Sequence, residues 1–140
     1  MIGAILMKKF AGSSIDALNQ HDLPKFMKGI AEDCTVAYPG NFSMSGEWKG
    51  KKAIEALVAK FMEQFPKVKI TIKEIFISNI FALGFTNNVA LEWDVAYTNK
   101  EGKEFHNIGV STARVKRGKI VEFRDYYFNV DLLKEAWGEA

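Results

Sequence analysis

Apolar residues in the first half of the chain recur mostly at the spacing of amphipathic helices. The first such series comprises Ile5, Leu6, Phe10, Ile15 and Leu18. A second helix is predicted after Asp22, which can cap it, and Pro24 lies in its first turn, where a missing N–H costs nothing. The clearest apolar stripe predicts a long helix from Lys51 to Phe65, because Pro66 then ends the run.

The second half of the chain changes to the period of two that is typical of strands. Val68, Ile70 and Ile72 alternate with polar residues, and further strands are predicted over residues 75–85, 89–97, 105–115 and 120–127. Turns are predicted at 87–88, 99–103 and 117–118, where asparagine or glycine occurs. A short strand over 34–38, a loop over 39–50 and a terminal helix over 131–137 complete the prediction.

This order of elements indicates an α+β fold. Strands joined by tight turns pair antiparallel, and their apolar face needs helices to cover it. The pattern therefore predicts a cone-shaped, curved antiparallel sheet with the N-terminal helices and the one long helix packed in its concave face. No repeat or linker divides the sequence, so we expect a single domain over residues 1–140, with Met7 as an alternative start that would leave residues 1–6 upstream.

Composition and charge narrow the classes of function. The net charge of +2 is small and the basic residues are scattered, so neither nucleic acid nor an anionic membrane is expected as a partner. One cysteine, Cys34, and two histidines cannot assemble a structural zinc site, and no metal or other cofactor is expected. The apolar N-terminal run is too short to span a membrane and follows no cationic region, so a cytoplasmic protein is predicted.

The predicted strand over 89–97 carries two carboxylates with an ambiguous position. Glu92 and Asp94 share one face with Ala96, while Trp93 and its apolar neighbours share the other. Either these carboxylates face solvent, or they line the floor of a cavity between the sheet and the helices. The alternation by itself leaves both interpretations open.

The last predicted strand places a carboxylate among apolar side chains. Asp125 shares a face with Val121, Phe123 and Tyr127. Burying an unpaired carboxylate is costly, so such a group finds a partner or has its pKa raised. A raised pKa is what a general acid or base needs near neutral pH. Asp125 is therefore the leading candidate for chemistry.

The last strand also carries a resemblance to a known family. Residues 118–127 read G-K-I-V-E-F-R-D-Y-Y, which resembles the closing strand of the nuclear-transport-factor-2-like superfamily, nearest to its SnoaL-like polyketide cyclases and limonene-epoxide hydrolases. Residues 19–34 and 46–54 resemble the second helix and the entry to the long helix of the same proteins. This superfamily also includes ketosteroid isomerase-like enzymes, and its fold hosts both catalytic and non-catalytic members.

The resemblance implies roles for particular residues. Asp125 matches an acid/base aspartate of the cyclases and epoxide hydrolases, and Asp94 matches the second aspartate of the hydrolases' R-x-D motif. Glu92 occupies the place of the arginine of that motif, which counts against epoxide hydrolysis. Tyr38 and Asn41 partly match the tyrosine and asparagine that position water in those hydrolases.

Five further residues are candidates for the pocket. Phe123 and Tyr127 share the face of Asp125, and Trp48 either covers the pocket mouth or packs on the long helix. His106 and Asn107 are adjacent on a predicted strand, so one faces the cavity and the other faces outward. The pattern does not decide which.

These observations predict an enzyme of the cyclase or isomerase type that needs no cofactor. It would bind an apolar, carbonyl-bearing small molecule, with Asp125 as acid/base, Asp94 as its partner and Tyr38 or Tyr127 as a hydrogen-bond donor. The alternative is a non-catalytic module that binds a ligand or another protein, and epoxide hydrolysis is third. A two-fold homodimer formed by sheet-to-sheet packing is also predicted, because an apolar outer face would be left uncovered in a monomer. Its expected members are Leu91, Trp93, Val95 and Tyr97, with Ile108 and Val110 if they share that face.

Overall fold

The computed structural model of the chain describes residues 2–79 and 85–139. Within them, helices and strands follow in this order: α1 (Ile2–Asn19), α2 (Leu23–Met27), β1 (Ile30–Tyr38), β2 (Gly46–Lys49), α3 (Lys51–Gln64), β3 (Lys67–Ile77), β4 (Thr86–Thr98), β5 (Glu104–Lys116), β6 (Lys119–Tyr127) and α4 (Asp131–Ala136). The predicted α+β class, with helices first and hairpin-connected strands last, is confirmed.

The six strands form one curved sheet in the order β2-β1-β6-β5-β4-β3. All neighbours pair antiparallel except β1 and β6, which run parallel. The short turns between β4, β5 and β6 require antiparallel pairing, as predicted. β1 and β6 are far apart in the sequence, so no turn sets their relative direction.

Several predicted boundaries differ from the structure, and β1 begins at Ile30 rather than at Cys34. Asn87 and Asn88 lie inside β4 rather than in a turn, and the Asn87 side chain donates to the carbonyl oxygens of Ser78 and Asn79 at 3.1 and 2.9 Å. The predicted strand over 75–85 is the end of β3 as far as Ile77, and its residues 80–84 lie outside the described residues. The predicted loop over 39–50 contains β2, which pairs with β1.

The helices cover one face of the sheet. α1 packs on β3 and α3 packs on β1. The Asn19 amide at the end of α1 bonds both the N–H and the carbonyl of Ile70 in β3, at 2.7 and 3.0 Å. Asp22 caps α2 by accepting from the backbone N–H of Lys25, as predicted. Among the described residues, no helix is long and apolar enough to cross a membrane.

The inner face of β4 is the reverse of the one expected. Four of the side chains predicted for an outer apolar patch are buried at 4–7% exposure and belong to the core: Leu91, Trp93, Val95 and Tyr97. Their bulk fills the space under the helices, where burial of apolar area is most favourable. The small and acidic residues between them therefore face outward.

Candidate active site

A cavity of about 110 Å³ lies between the helices and the concave face of the sheet. Its wall is mostly apolar and comes from α1, α3 and the sheet, with side chains such as Leu18, Ile54, Leu57 and Val95. Its polar lining residues are Tyr38, Ser111 and Asp125, together with Tyr127 and the indoles of Trp93 and Trp137. A few polar groups in an apolar cavity are typical of a small-molecule site.

Asp125 is held at the cavity wall by a hydrogen bond from the neighbouring strand. Ser111 is its cross-strand partner in β5, and the Ser111 hydroxyl donates to Oδ1 of Asp125 at 2.5 Å. Burial in apolar surroundings raises the pKa of Asp125 to about 6, although the bond from Ser111 works in the opposite direction. This carboxyl group can therefore gain and lose a proton near neutral pH.

The two cavity tyrosines form a second polar group. The Tyr38 hydroxyl accepts from Nε1 of Trp137 at 3.2 Å and lies 3.5 Å from the Tyr127 hydroxyl. Burial, above all, raises the pKa of both tyrosines well above the usual range. Both hydroxyls therefore keep their protons; one of these protons lies between the two hydroxyls, and the other is available as a hydrogen-bond donor.

Four of the predicted pocket residues line the cavity. Asp125, Phe123 and Tyr127 do so from β6, and Tyr38 does so from the end of β1. Strand alternation in β6 placed three of them correctly, because Asp125 shares a face with side chains too apolar to be exposed.

Four others lie on the outer face of the sheet. The expectation that Glu92, Asp94 and Ala96 line the cavity is wrong, and His106 is the outward member of its pair with Asn107. Glu92, Asp94 and Ala96 alternate with the buried residues of β4, and His106 pairs with Ala96 across the sheet. Asp94 bonds Nε2 of His106 at 2.7 Å there. Alternation shows which residues share a face, but only the strand register shows which face lies under the helices.

The three remaining candidates, Asn41, Trp48 and Asn107, do not line the cavity. Asn41 is exposed in the loop between β1 and β2, away from the cavity lining. The Trp48 indole donates to the carbonyl of Met44 and lies under Lys60 of α3, so it packs on the long helix. Asn107 is the inward residue of its pair, but its amide bonds the Asn129 backbone.

The cavity thus contains one carboxylate rather than the expected cluster. Within the described part of the chain, Asp125 is the only acidic side chain that lines it, and no basic side chain does. The pKa of Asp125 is raised by loss of hydration and not by a neighbouring carboxylate.

Cys34 is also buried, and burial with nearby Asp33 raises its pKa to about 11, so it stays a thiol.

The family model for the SnoaL-like domain matches residues 12–123. The chain belongs to the SnoaL-like domain family. The matched region includes the cavity wall up to Phe123 and ends before Asp125, so the match identifies the fold and leaves the role of that carboxylate to the geometry. Comparison with curated proteins finds no match.

Several solved structures share the fold of this SnoaL-like domain. A nuclear-transport-factor-2-like protein from Burkholderia pseudomallei is 17% identical, with 92% of this chain and 95% of that one covered and a TM-score of 0.77. Rv0760c from Mycobacterium tuberculosis, solved with estradiol-17beta-hemisuccinate, is 24% identical over 87% and 92% of the chains, with a TM-score of 0.73. TerC, co-crystallised with polyporic acid, is 14% identical over 99% and 100%, with a TM-score of 0.76. At these identities the likeness is one of fold.

Sequence reasoning missed three residues of the site in this SnoaL-like domain. Ser111 follows a glycine-containing stretch of β5 without an alternation signal, and Trp93, which the sequence analysis places in the outer apolar patch, lines the cavity. Trp137 lies just after α4 and reaches the cavity only through the packing of the C-terminal segment. The one available signal was that tryptophan is rarely left exposed in a monomer.

Proposed function

We propose that this protein binds an apolar small molecule bearing a carbonyl group and transfers a proton on it, as a cyclase or isomerase does without a cofactor. The observation that carries the proposal is the position of Asp125, a single carboxylate in an apolar cavity with its pKa raised to about 6. A base with such a pKa is mostly ionised at neutral pH and is more basic than an ordinary carboxylate, so it can accept a proton.

The proposed step uses two groups on the cavity wall. Ionised Asp125 removes a proton from the carbon next to the carbonyl, so the C–H bond breaks, an O–H bond forms on the carboxyl group and the electron pair moves into an enolate. The protonated carboxyl group then returns the proton to the same carbon or to a conjugated one. Tyr127 or Tyr38 donates a hydrogen bond to the oxygen that becomes negative.

Epoxide hydrolysis is a weaker candidate for this cavity. That reaction needs a base for water and an acid for the opening oxygen, and the described lining contains only one carboxyl group. Glu92, in the place of the hydrolases' arginine, already counts against epoxide hydrolysis. The outward position of Asp94 removes the second predicted acid. We therefore expect little or no diol from limonene oxide.

We also propose that the protein is a homodimer, through a different outer face from the one expected. Ile108, Tyr126 and Phe128 are exposed by 45, 51 and 84%, and Ile108 and Tyr126 lie on the outer face of β5 and β6. On the same face, acidic Glu92 lies in β4 on one side of β5, and Arg124 lies in β6 on the other side. A two-fold axis along the strands would set these opposite charges of two copies against each other.

The test of function is hydrogen exchange on candidate ligands. A panel of ketones, from single rings to fused rings, is incubated with the protein in heavy water, and deuterium uptake is followed by mass spectrometry. We expect uptake with the unaltered protein and a loss of at least about 100-fold in Asp125→Asn, in line with removal of a general base. Asp94→Asn is the matched control, because it removes a carboxylate from the outer face.

The outcomes separate the candidate functions. Uptake that survives in Asp125→Asn would contradict the proposal. A ligand retained by the protein without any exchange would favour the non-catalytic binding module, and efficient diol formation from a parallel panel of epoxides would favour the hydrolase.

A further inference from the structure

A chain of two short hydrogen bonds leads from β4 to the cavity carboxylate. Nε1 of Trp93 donates to Oγ of Ser111 at 2.8 Å, and Oγ of Ser111 donates to Oδ1 of Asp125 at 2.5 Å. The first bond is fully buried, and Trp93 and Ser111 are each only 5% exposed. Water therefore does not compete for the first bond, which makes it electrostatically stronger than at a surface, and the second bond is partly buried.

The chemistry of the three groups sets the direction of this chain. An indole N–H can only donate, so Ser111 must accept from Trp93. A hydroxyl has one proton, and an ionised carboxylate can only accept, so that proton goes to Asp125. Among the described residues, no hydrogen bond reaches the second carboxyl oxygen of Asp125, Oδ2.

Gly109 makes room for this arrangement. It is the cross-strand partner of Trp93 and lies two residues before Ser111, on the same inner face of β5. A Cβ at Gly109 would lie 2.7 Å from the Trp93 ring and 2.2 Å from the carbonyl oxygen of Tyr126. The indole therefore lies across β5 over a glycine, and its N–H reaches the serine.

We propose that Trp93 and Ser111 are positioning residues for Asp125: the indole N–H aims the serine hydroxyl at Oδ1 and leaves Oδ2 as the oxygen that exchanges a proton with a bound ligand. Trp93 acts only through Ser111. The use of Oδ2 in catalysis rests on the proposed function, but the hydrogen-bond chain and its effect on Asp125 do not.

The effect of the chain is measurable on the protein without a ligand. The titration of Asp125 is followed by carbon-13 NMR of its carboxyl group in the unaltered protein and in Ser111→Ala, Trp93→Phe and the double variant. We expect Ser111→Ala to raise the midpoint by roughly one pKa unit above its value near 6, because a bond that favours the charged form is lost. Trp93→Phe should give a smaller rise in the same direction.

The double variant distinguishes positioning from general packing. If Trp93 acts through Ser111, replacing Trp93 has no further effect on the midpoint once Ser111 is alanine. Ser111→Thr keeps the hydroxyl and should restore the midpoint. Trp48→Phe is the control, since its indole N–H bonds the Met44 carbonyl and not the cavity groups.

Two results would overturn the inference. One is an unchanged midpoint of the Asp125 titration in Ser111→Ala, a variant that removes a single oxygen. The other is a change in the Asp125 midpoint on Trp93→Phe that is as large in the Ser111→Ala background as in the unaltered protein. Loss of deuterium exchange plays no part in either result, so failure of the proposed function would be recognised separately.

Discussion

Nε1 of Trp137 lies 3.2 Å from the hydroxyl of Tyr38, which joins the C-terminal end of the chain to the end of β1 across the cavity wall. The ring of Trp137 also packs edge-on against Tyr38 and Phe65, with centroids 6.1 and 5.3 Å away. Gln64 and Asn99 hold the segment in place by bonding the carbonyl of Ala136. One wall of the cavity is thus supplied by the last turn of the chain.

Trp137 should limit the size of the ligand. The cavity of about 110 Å³ is smaller than the engineered cavity of about 150 Å³ that accepts benzene, so we expect a ligand larger than benzene to fit inside only when a lining side chain moves. We expect Trp137→Ala to lower the free energy of unfolding by about 3 kcal/mol and to favour multi-ring over single-ring ligands. Thermal melting and calorimetric titration with both ligand sizes measure these effects.

Trp137→Phe is the matched control for size. It keeps most of the ring volume but loses the donor to Tyr38. Its preference for ligand size should stay close to that of the unaltered protein, and an equal change in both variants would show that the hydrogen bond, not the bulk, sets the limit.

Asp125→Asn should stabilise the protein at high pH. The pKa of Asp125 is raised from 3.8 to about 6 by burial, so the folded state holds this proton more tightly than the unfolded state. The resulting stability is present below the unfolded pKa and is lost as pH rises through the folded pKa, a loss of about 3 kcal/mol by pH 8. Asparagine is neutral throughout, so its melting temperature should exceed that of the unaltered protein by about 10 °C at pH 8.

At pH 4 the melting temperature of Asp125→Asn should not exceed that of the unaltered protein, because the Asp125 carboxyl group is then protonated in the folded state. Glu92→Gln, on the exposed outer face, controls for the loss of one negative charge and should show no comparable gain at pH 8. Equal melting of Asp125→Asn and the unaltered protein at both pH values would mean that the buried carboxyl group carries no such cost.

Gly109→Ala should be strongly destabilising. The added Cβ would meet the backbone oxygen of Tyr126 and the ring of Trp93, neither of which can yield without moving a strand. We expect a loss of about 3 kcal/mol or more in the free energy of unfolding, measured by urea denaturation. Gly12→Ala in α1 is the control, because its Cβ meets nothing within 4 Å and it should gain roughly 0.5–1 kcal/mol.

The proposed dimer can be tested on its revised outer face. Light scattering at micromolar concentration should give twice the mass of one chain, and the double variant Ile108→Glu, Phe128→Ser should give a single-chain mass. Ile5→Glu, which changes an exposed apolar residue of α1, is the control and should leave the mass doubled. A single-chain mass for the unaltered protein would contradict the proposal.

The sequence by itself determined the class of fold and the main acid/base candidate. Helical and strand periods are local properties, and short turns force neighbouring strands to pair antiparallel, so the order of helices and hairpins could be read directly. Asp125 could be found because its own strand places it among apolar side chains. The motif shared with the SnoaL-like proteins added the shape of the sheet.

Only the tertiary structure decided which groups meet Asp125. The two faces of β4 differ in sequence, but their alternation does not show which face lies under the helices. The bulk of Trp93 and Val95 takes that space, and Asp94 and Glu92 face outward. Ser111 reaches Asp125 through the pairing of β5 with β6, and Trp137 reaches Tyr38 across 99 residues. Such contacts depend on register and on the packing of distant segments, which no local period encodes.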